Sequence, residues 1–169
     1  MDVLIRRAAS SEEVREIKRL EIEAGLSSWS IEDYELEIKE ENPFFLVAEA
    51  DDRIIGFILA RLITIEQNIL PDGLSQFELE ICNITVSKSQ RRERIGRKLL
   101  SGVFAELEFK LPCPVFLEVR KSNSGAISFY KKNRFKVLGE RKNFYTAPAE
   151  DAWVMCRELY SSEDFELEM

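Results

Sequence analysis

Glu118 interrupts the apolar run "PVFLEV", and a carboxylate set among buried neighbours tends to have a raised pKa, which suits a general base. The same residue reads equally as an edge-facing glutamate paired with Arg120 or a nearby lysine. Tyr130 lies in "AISFYKKN", where Ala126, Ile127 and Tyr130 fit the apolar face of a helix. Upstream, "QRRERIGRKLL" gathers Arg91, Arg92, Arg94, Arg97 and Lys98 around a single acid, Glu93, in a chain of formal net charge -7. The chain has no histidine, which removes Ser-His-Asp and Cys-His nucleophiles, His-ligated metals and imidazole acid-base chemistry together. Catalysis in this chain rests on Glu, Asp, Tyr, Lys, Cys or backbone amides.

These residues need elements to place them. "FELEICNITV" reads as a strand running into the basic cluster, and Ile95, Leu99, Leu100, Val103, Phe104 and Leu107 then recur at helical spacing. A strand, a tight loop and a helix in that order expose unpaired amides at the helix start, and the helix dipole makes them an anion site. Five cations there suit a polyanion, whereas on an ordinary helix they form a solvated basic face. No GxxxxGK[ST] or GxGxxG string supports a nucleotide loop. "PVFLEV" gives the next strand, and "SNSGAISFYKKN" a helix capped by Ser122 or Asn123. "RFKVLGERKNFY" and "EDAWVMCREL" make a closing strand pair, with Tyr145 near the hairpin tip. Earlier, "VLIRRA" is a first strand. A helix follows it with the capping pair Ser10 and Glu13, an apolar row at Val14, Ile17 and Leu20, and Gly25 as its stop. Another helix starts at Ser30, after Trp29, and "PFFLVAEADDRIIGFILARL" folds as two strands about Asp51-Asp52. The loop over residues 64–76 is marked by Pro71, Asp72 and Gly73.

At 169 residues, 45% hydrophobic and 33% charged, the chain suits one globular domain over residues 1–160 with an acidic, frayed tail over 161–169. The expected class is α/β, with helices interleaved among the strands of one mixed sheet. No run approaches the roughly 18 apolar residues of a spanning helix, and the start lacks the plan of a signal peptide, so a cytoplasmic protein without membrane contact is expected. Cys82, Cys113 and Cys156 are far apart and free of CxxC spacing, which predicts reduced, buried thiols and no metal site. The acidic balance disfavours nucleic acid as a partner.

The order of these segments resembles the GNAT superfamily of acetyl-coenzyme A-dependent N-acetyltransferases. "NITVSKSQRRERIGRKLL" is similar to its strand, Q/R-x-x-G-x-G/A loop and helix, with Arg94 where the family usually has glycine. Within the superfamily the likeness is to bacterial ribosomal-protein-alanine N-acetyltransferases. "LEVRKSNSGAISFYKKNRF" resembles their "LEVR.SN..A..LY...GF", with Asn133-Arg134-Phe135 replacing "LGF", and "RKNFYTAPAEDAWVM" resembles their "RRNYY" to "EDA..M" ending. The resemblance implies a mostly antiparallel sheet of about seven strands with about four helices. It implies Glu118 as base and Tyr130 as general acid. Ile84, Thr85 and Val86 match the strand that pairs with the pantetheine arm of acetyl-coenzyme A. Arg91, Arg92, Glu93, Arg94, Ile95 and Gly96 match its pyrophosphate loop, which continues into Arg97 and Lys98, and Asn123 matches another coenzyme contact. Trp29 and Tyr145 fall on the acceptor side. The implied acceptor is a protein or peptide N-terminus, such as that of a basic ribosomal protein, and the implied state a monomer or weak dimer. A lysine side chain or small amine as acceptor, and a non-catalytic coenzyme A-binding module, are the alternatives.

Overall fold

A computed structural model describes residues 2–25, 29–65 and 75–165. In chain order the elements are β1 (Leu4–Arg7), α1 (Ser11–Ala24), α2 (Ile31–Lys39), β2 (Phe45–Ala50), β3 (Arg53–Thr64), β4 (Phe77–Val86), α3 (Ile95–Ala105), β5 (Cys113–Arg120), α4 (Ser124–Lys132), β6 (Lys136–Thr146) and β7 (Ala149–Leu159). The strands form a seven-stranded sheet in the order β1-β2-β3-β4-β5-β7-β6. β4 and β5 run parallel, with Leu79 opposite Val115, while the β1-β2, β2-β3, β5-β7 and β6-β7 pairs are antiparallel. This is the mixed, mostly antiparallel sheet that the family resemblance implies.

The chain clusters into two compact units. The first comprises residues 1–61 and 83–106. Its core includes Val14, Ile17 and Leu20 of the α1 stripe, together with Tyr34, Phe45 and Phe57, all buried. Tyr34 stacks on Phe45 at 5.7 Å and meets Phe57 edge-on at 5.9 Å. Ser10 caps α1 by accepting the Glu13 amide, and Gly25 closes it at φ 66, a left-handed geometry that glycine meets without strain. The Glu13 carboxylate differs from a simple capping partner, because it also accepts the Ala9 amide at 2.8 Å and pairs with Arg6. At α2, Ser30 and Asp33 form a complete capping box. Asp51 and Asp52 take φ 50 and 57, as a two-residue hairpin turn requires.

The second unit comprises residues 62–82 and 107–169. β5 alternates buried and half-buried residues, so Cys113, Val115, Leu117 and Val119 form its core row. Asn123, and not Ser122, caps α4, its side chain accepting the Ala126 amide at 3.1 Å. Leu107 is buried but lies beyond the end of α3, so the apolar stripe outruns its helix by one contact. Of the 64–76 loop, residues 66–74 lie outside the described residues; beside them the Ile65 amide donates to the Gln76 carbonyl at 2.8 Å. Of the tail over 161–169, residues 161–165 are described. Ser162–Phe165 form a 3-10 turn in which the Asp164 carboxylate accepts the Tyr160 and Ser161 amides, while buried Arg157 donates to the Asp164 carbonyl. Local backbone bonding and one buried guanidinium outweigh the acidity that composition alone registers.

Cys113 and Cys156 are buried and Cys82 is half-buried, all three as free thiols. Burial pushes the Cys113 and Cys156 thiols up to about 11. No helix among the described residues is long and apolar enough to cross a membrane.

Candidate functional site

In the first unit, β4 ends in Ile84, Thr85 and Val86, with β3 flush against it. A Cβ on Gly56 would meet the Thr85 carbonyl at 2.9 Å, and the Ser87 amide donates to the Ile55 carbonyl at 2.8 Å. After a 3-10 turn over Lys88–Gln90, the loop carries two arginines at positive φ, Arg92 at 72° and Arg94 at 60°. Arg94 is the N-cap residue of α3, and it gives no side-chain hydrogen bond to the first turn. The N-cap side chain thus covers none of the opening amides of this eleven-residue helix, and no acid sits in its first turn. Arg91, Arg92, Glu93, Arg94 and Lys98 are exposed, Gly96 and Arg97 half-buried, and Ile95 is buried beneath them. Arg91 Nε donates to the Val86 carbonyl at 3.2 Å, tying the loop back to the strand end. Amides at the positive end of a dipole, ringed by exposed guanidinium groups, fit a pyrophosphate.

The same unit holds a polar cluster that periodicity does not reveal. Glu21 lies on the buried side of α1, 1% exposed. Its Oε1 accepts the Trp29 amide at 3.1 Å, the Tyr34 hydroxyl at 3.2 Å and Asn83 Nδ2 at 3.3 Å, and its other oxygen pairs with Lys18. Trp29 is thereby fixed at the entry to α2, its ring stacked on Tyr34 at 5.6 Å, with the Arg61 guanidinium 4.5 Å from its centre.

In the second unit, Glu118 falls on the half-buried row of β5, 18% exposed, and not among the buried side chains. Its ion-pair partner is Arg141 of β6, at 2.8 Å, and not Arg120 or a lysine. Arg120 turns instead to Glu150 at 3.2 Å and to the Ala147 and Pro148 carbonyls. The Tyr145 hydroxyl donates to the Glu118 carbonyl at 3.4 Å, and Arg120 covers the Tyr145 ring at 4.1 Å. Tyr145 is half-buried here and does not stand free at the hairpin tip. Tyr130 is 6% exposed, packed edge-on against Phe129 and Phe135 at 5.4 and 5.5 Å. Its hydroxyl has no hydrogen-bond partner among the described residues, and burial raises its pKa strongly, with a further rise from Tyr145. A phenol that holds its proton and gives it to no neighbour is a reserve acid. Asn123 is occupied as the α4 cap.

Residues 13–135 match the acetyltransferase (GNAT) family. The chain belongs to that family. This GNAT protein is 35% identical over 123 residues to the N-alpha-acetyltransferase of Sulfurisphaera tokodaii, covering 72% of this chain and 73% of the relative. It is 33% identical over 108 residues to the ribosomal protein bS18-alanine N-acetyltransferase of Salmonella typhimurium, covering 63% and 65% of the two chains. Its fold matches the ribosomal-protein-S18-alanine N-acetyltransferase from Escherichia coli with a TM-score of 0.72 at 22% identity, over 95% of this chain and 96% of that one. This GNAT protein is an acetyl-coenzyme A-dependent N-acetyltransferase. Archaeal N-alpha-acetyltransferases thus stand beside the bacterial ribosomal-protein enzymes to which the motifs point.

Sequence reasoning missed Arg141 and Glu21. Arg141 stands in "RKNFY" as an ordinary strand cation, and only the pairing of β6 with β7 carries it to Glu118. Glu21 follows Leu20 directly in the α1 stripe, and a glutamate there signals a buried partner set or nothing at all.

Proposed function

We propose that this enzyme moves the acetyl group of acetyl-coenzyme A directly to the α-amino group of a protein or peptide N-terminus. The observation that carries this acceptor class is the likeness to an N-alpha-acetyltransferase across nearly three-quarters of both chains. Chemistry favours it as well. An α-amino group, with a pKa of roughly 7.7 to 8.0, yields its proton far more readily than a lysine near about 10.4, so a modest base suffices. The α3 loop from Arg91 to Gly96, with Arg97 and Lys98, holds the pyrophosphate; Ile84, Thr85 and Val86 present backbone to the pantetheine arm; Asn123, whose oxygen caps α4, adds a further coenzyme contact through its amide nitrogen.

Glu118 accepts the ammonium proton of the acceptor, directly or through a water. The freed nitrogen lone pair attacks the thioester carbonyl carbon; as the adduct collapses the carbon–sulfur bond breaks, Tyr130 gives its proton to the departing sulfur, and the second nitrogen proton passes to solvent, from which Tyr130 is reprotonated. Backbone amides near β4 polarise the carbonyl. Tyr145 helps hold the acceptor's amino terminus, and Trp29 belongs to an acceptor-side motif. The exposed Glu32, Asp33, Glu40 and Glu41 around α2 draw a basic acceptor, such as a ribosomal-protein terminus.

Coenzyme release by Glu118→Gln and Tyr130→Phe proteins tests the two roles. Each loses roughly 10²- to 10⁴-fold in kcat, the range of a lost acid or base. Because burial raises the Tyr130 pKa, the phenol keeps its proton as pH rises past the ordinary tyrosine value of about 10, and the parent shows no alkaline fall from it below that point. Parental turnover by both variants contradicts the assignment.

A further inference from the structure

β6 loses register against β7 next to Glu118. Arg141 lies opposite Ala152 and Tyr145 opposite Glu150, so Asp151 alone faces Lys142, Asn143 and Phe144. In a regular strand, residues four apart are separated by roughly 13 Å. Here their ladder partners are only two residues apart, and both ends of the bulge close on Glu118: Arg141 on its carboxylate at 2.8 Å, Tyr145 on its carbonyl at 3.4 Å.

Asp151 fastens this bulge. Its Oδ1 accepts the amide of Asn143, which sits at φ 52, at 2.9 Å. Its Oδ2 accepts Lys142 Nζ at 3.0 Å and Lys121 Nζ at 3.3 Å. The Asn143 amide first, and Lys142 next, hold its carboxyl down at about 2. Glu140 completes the array by pairing with both lysines.

We propose that Asp151 is a positioning residue for acetyl transfer: by holding the Asn143 amide it sets the spacing of Arg141 and Tyr145, and through them the placement of Glu118. Asp151 touches no reacting group. The inference rests on Glu118 being the base.

Asp151→Asn and Asp151→Glu separate geometry from charge, and both keep a polar group that supports folding. Asparagine retains an acceptor at the Asn143 amide. Glutamate retains the charge for the lysines but carries it one methylene further out. The expected result is kcat within about threefold of the parent for Asp151→Asn, and a fall of about tenfold or more for Asp151→Glu, since a displacement near 1 Å can cost up to about 10². Melting temperature and the KM for acetyl-coenzyme A stay at parental values in both. Parental kcat for Asp151→Glu, or a larger loss for Asp151→Asn than for Asp151→Glu, overturns the proposal. A Glu118→Gln protein with parental kcat overturns the reading of Glu118 itself; an inactive Glu118→Gln protein beside a parental Asp151→Glu protein overturns only the role of Asp151.

Discussion

Arg94 stands where the GNAT loop usually has glycine, and it takes the glycine geometry, φ 60 and ψ 12, with its side chain exposed. Arg134 replaces the glycine of the "LGF" segment and does the same at φ 66. In both places a non-glycine residue bears the strain of the left-handed region, of order 1 to 2 kcal/mol. Arg94→Gly therefore changes the dissociation constant for acetyl-coenzyme A by less than about fivefold, the reach of one exposed charge. Stability stays level or rises by up to about 1 kcal/mol, because relieved strain is partly offset by a more flexible unfolded chain. Isothermal titration and denaturant melts check both halves, and tighter coenzyme binding by tenfold or more shows that Arg94 distorts the loop. The position of Arg94 was legible in the sequence. Its outcome was not, since residue type alone says what a geometry costs and not whether the surrounding loop enforces it.

At the level of elements, periodicity read the helices well because it reports burial of apolar groups. Val14, Ile17 and Leu20 are all buried as the α1 stripe requires, and the Ile95-to-Phe104 stripe is the buried face of α3. The same signal is blind to Glu21, whose burial depends on Trp29, Tyr34 and Asn83, partners 8, 13 and 62 residues away. Glu21→Ala strips the acceptor from three donors and leaves Lys18 beside a void, so it destabilises the protein by about 3 to 5 kcal/mol in urea melts. A loss below about 1 kcal/mol shows that the cluster is dispensable. The β6 bulge escaped for a related reason. "ERKNFY" reads as an unbroken strand, and the two extra residues emerge only when its register against β7 is set. Arg141 could not be matched to Glu118 without that register.

For the whole molecule, absences in composition did as much as motifs. Without histidine, carboxylates and phenols lead the candidates for proton transfer, and the chain holds a half-buried glutamate beside an arginine and a buried tyrosine whose hydroxyl finds no hydrogen bond among the described residues, both in one of its two compact units. A net charge of -7 with a basic cluster at one helix start is what sets the proposed anion-binding loop apart from the acidic surface proposed to draw cationic acceptors. Sequence order points to the family; in the proposed mechanism the acceptor is a matter of which amine can lose its proton at Glu118. The most direct measurement is mass spectrometry of a panel of short peptides incubated with the enzyme and acetyl-coenzyme A, half with free amino termini and half with blocked termini and an internal lysine. The account predicts acetylation at the α-amino group of the free peptides, fastest for basic sequences, and none on the blocked ones. Acetylated lysine in blocked peptides, with free amino termini left unmodified, contradicts it.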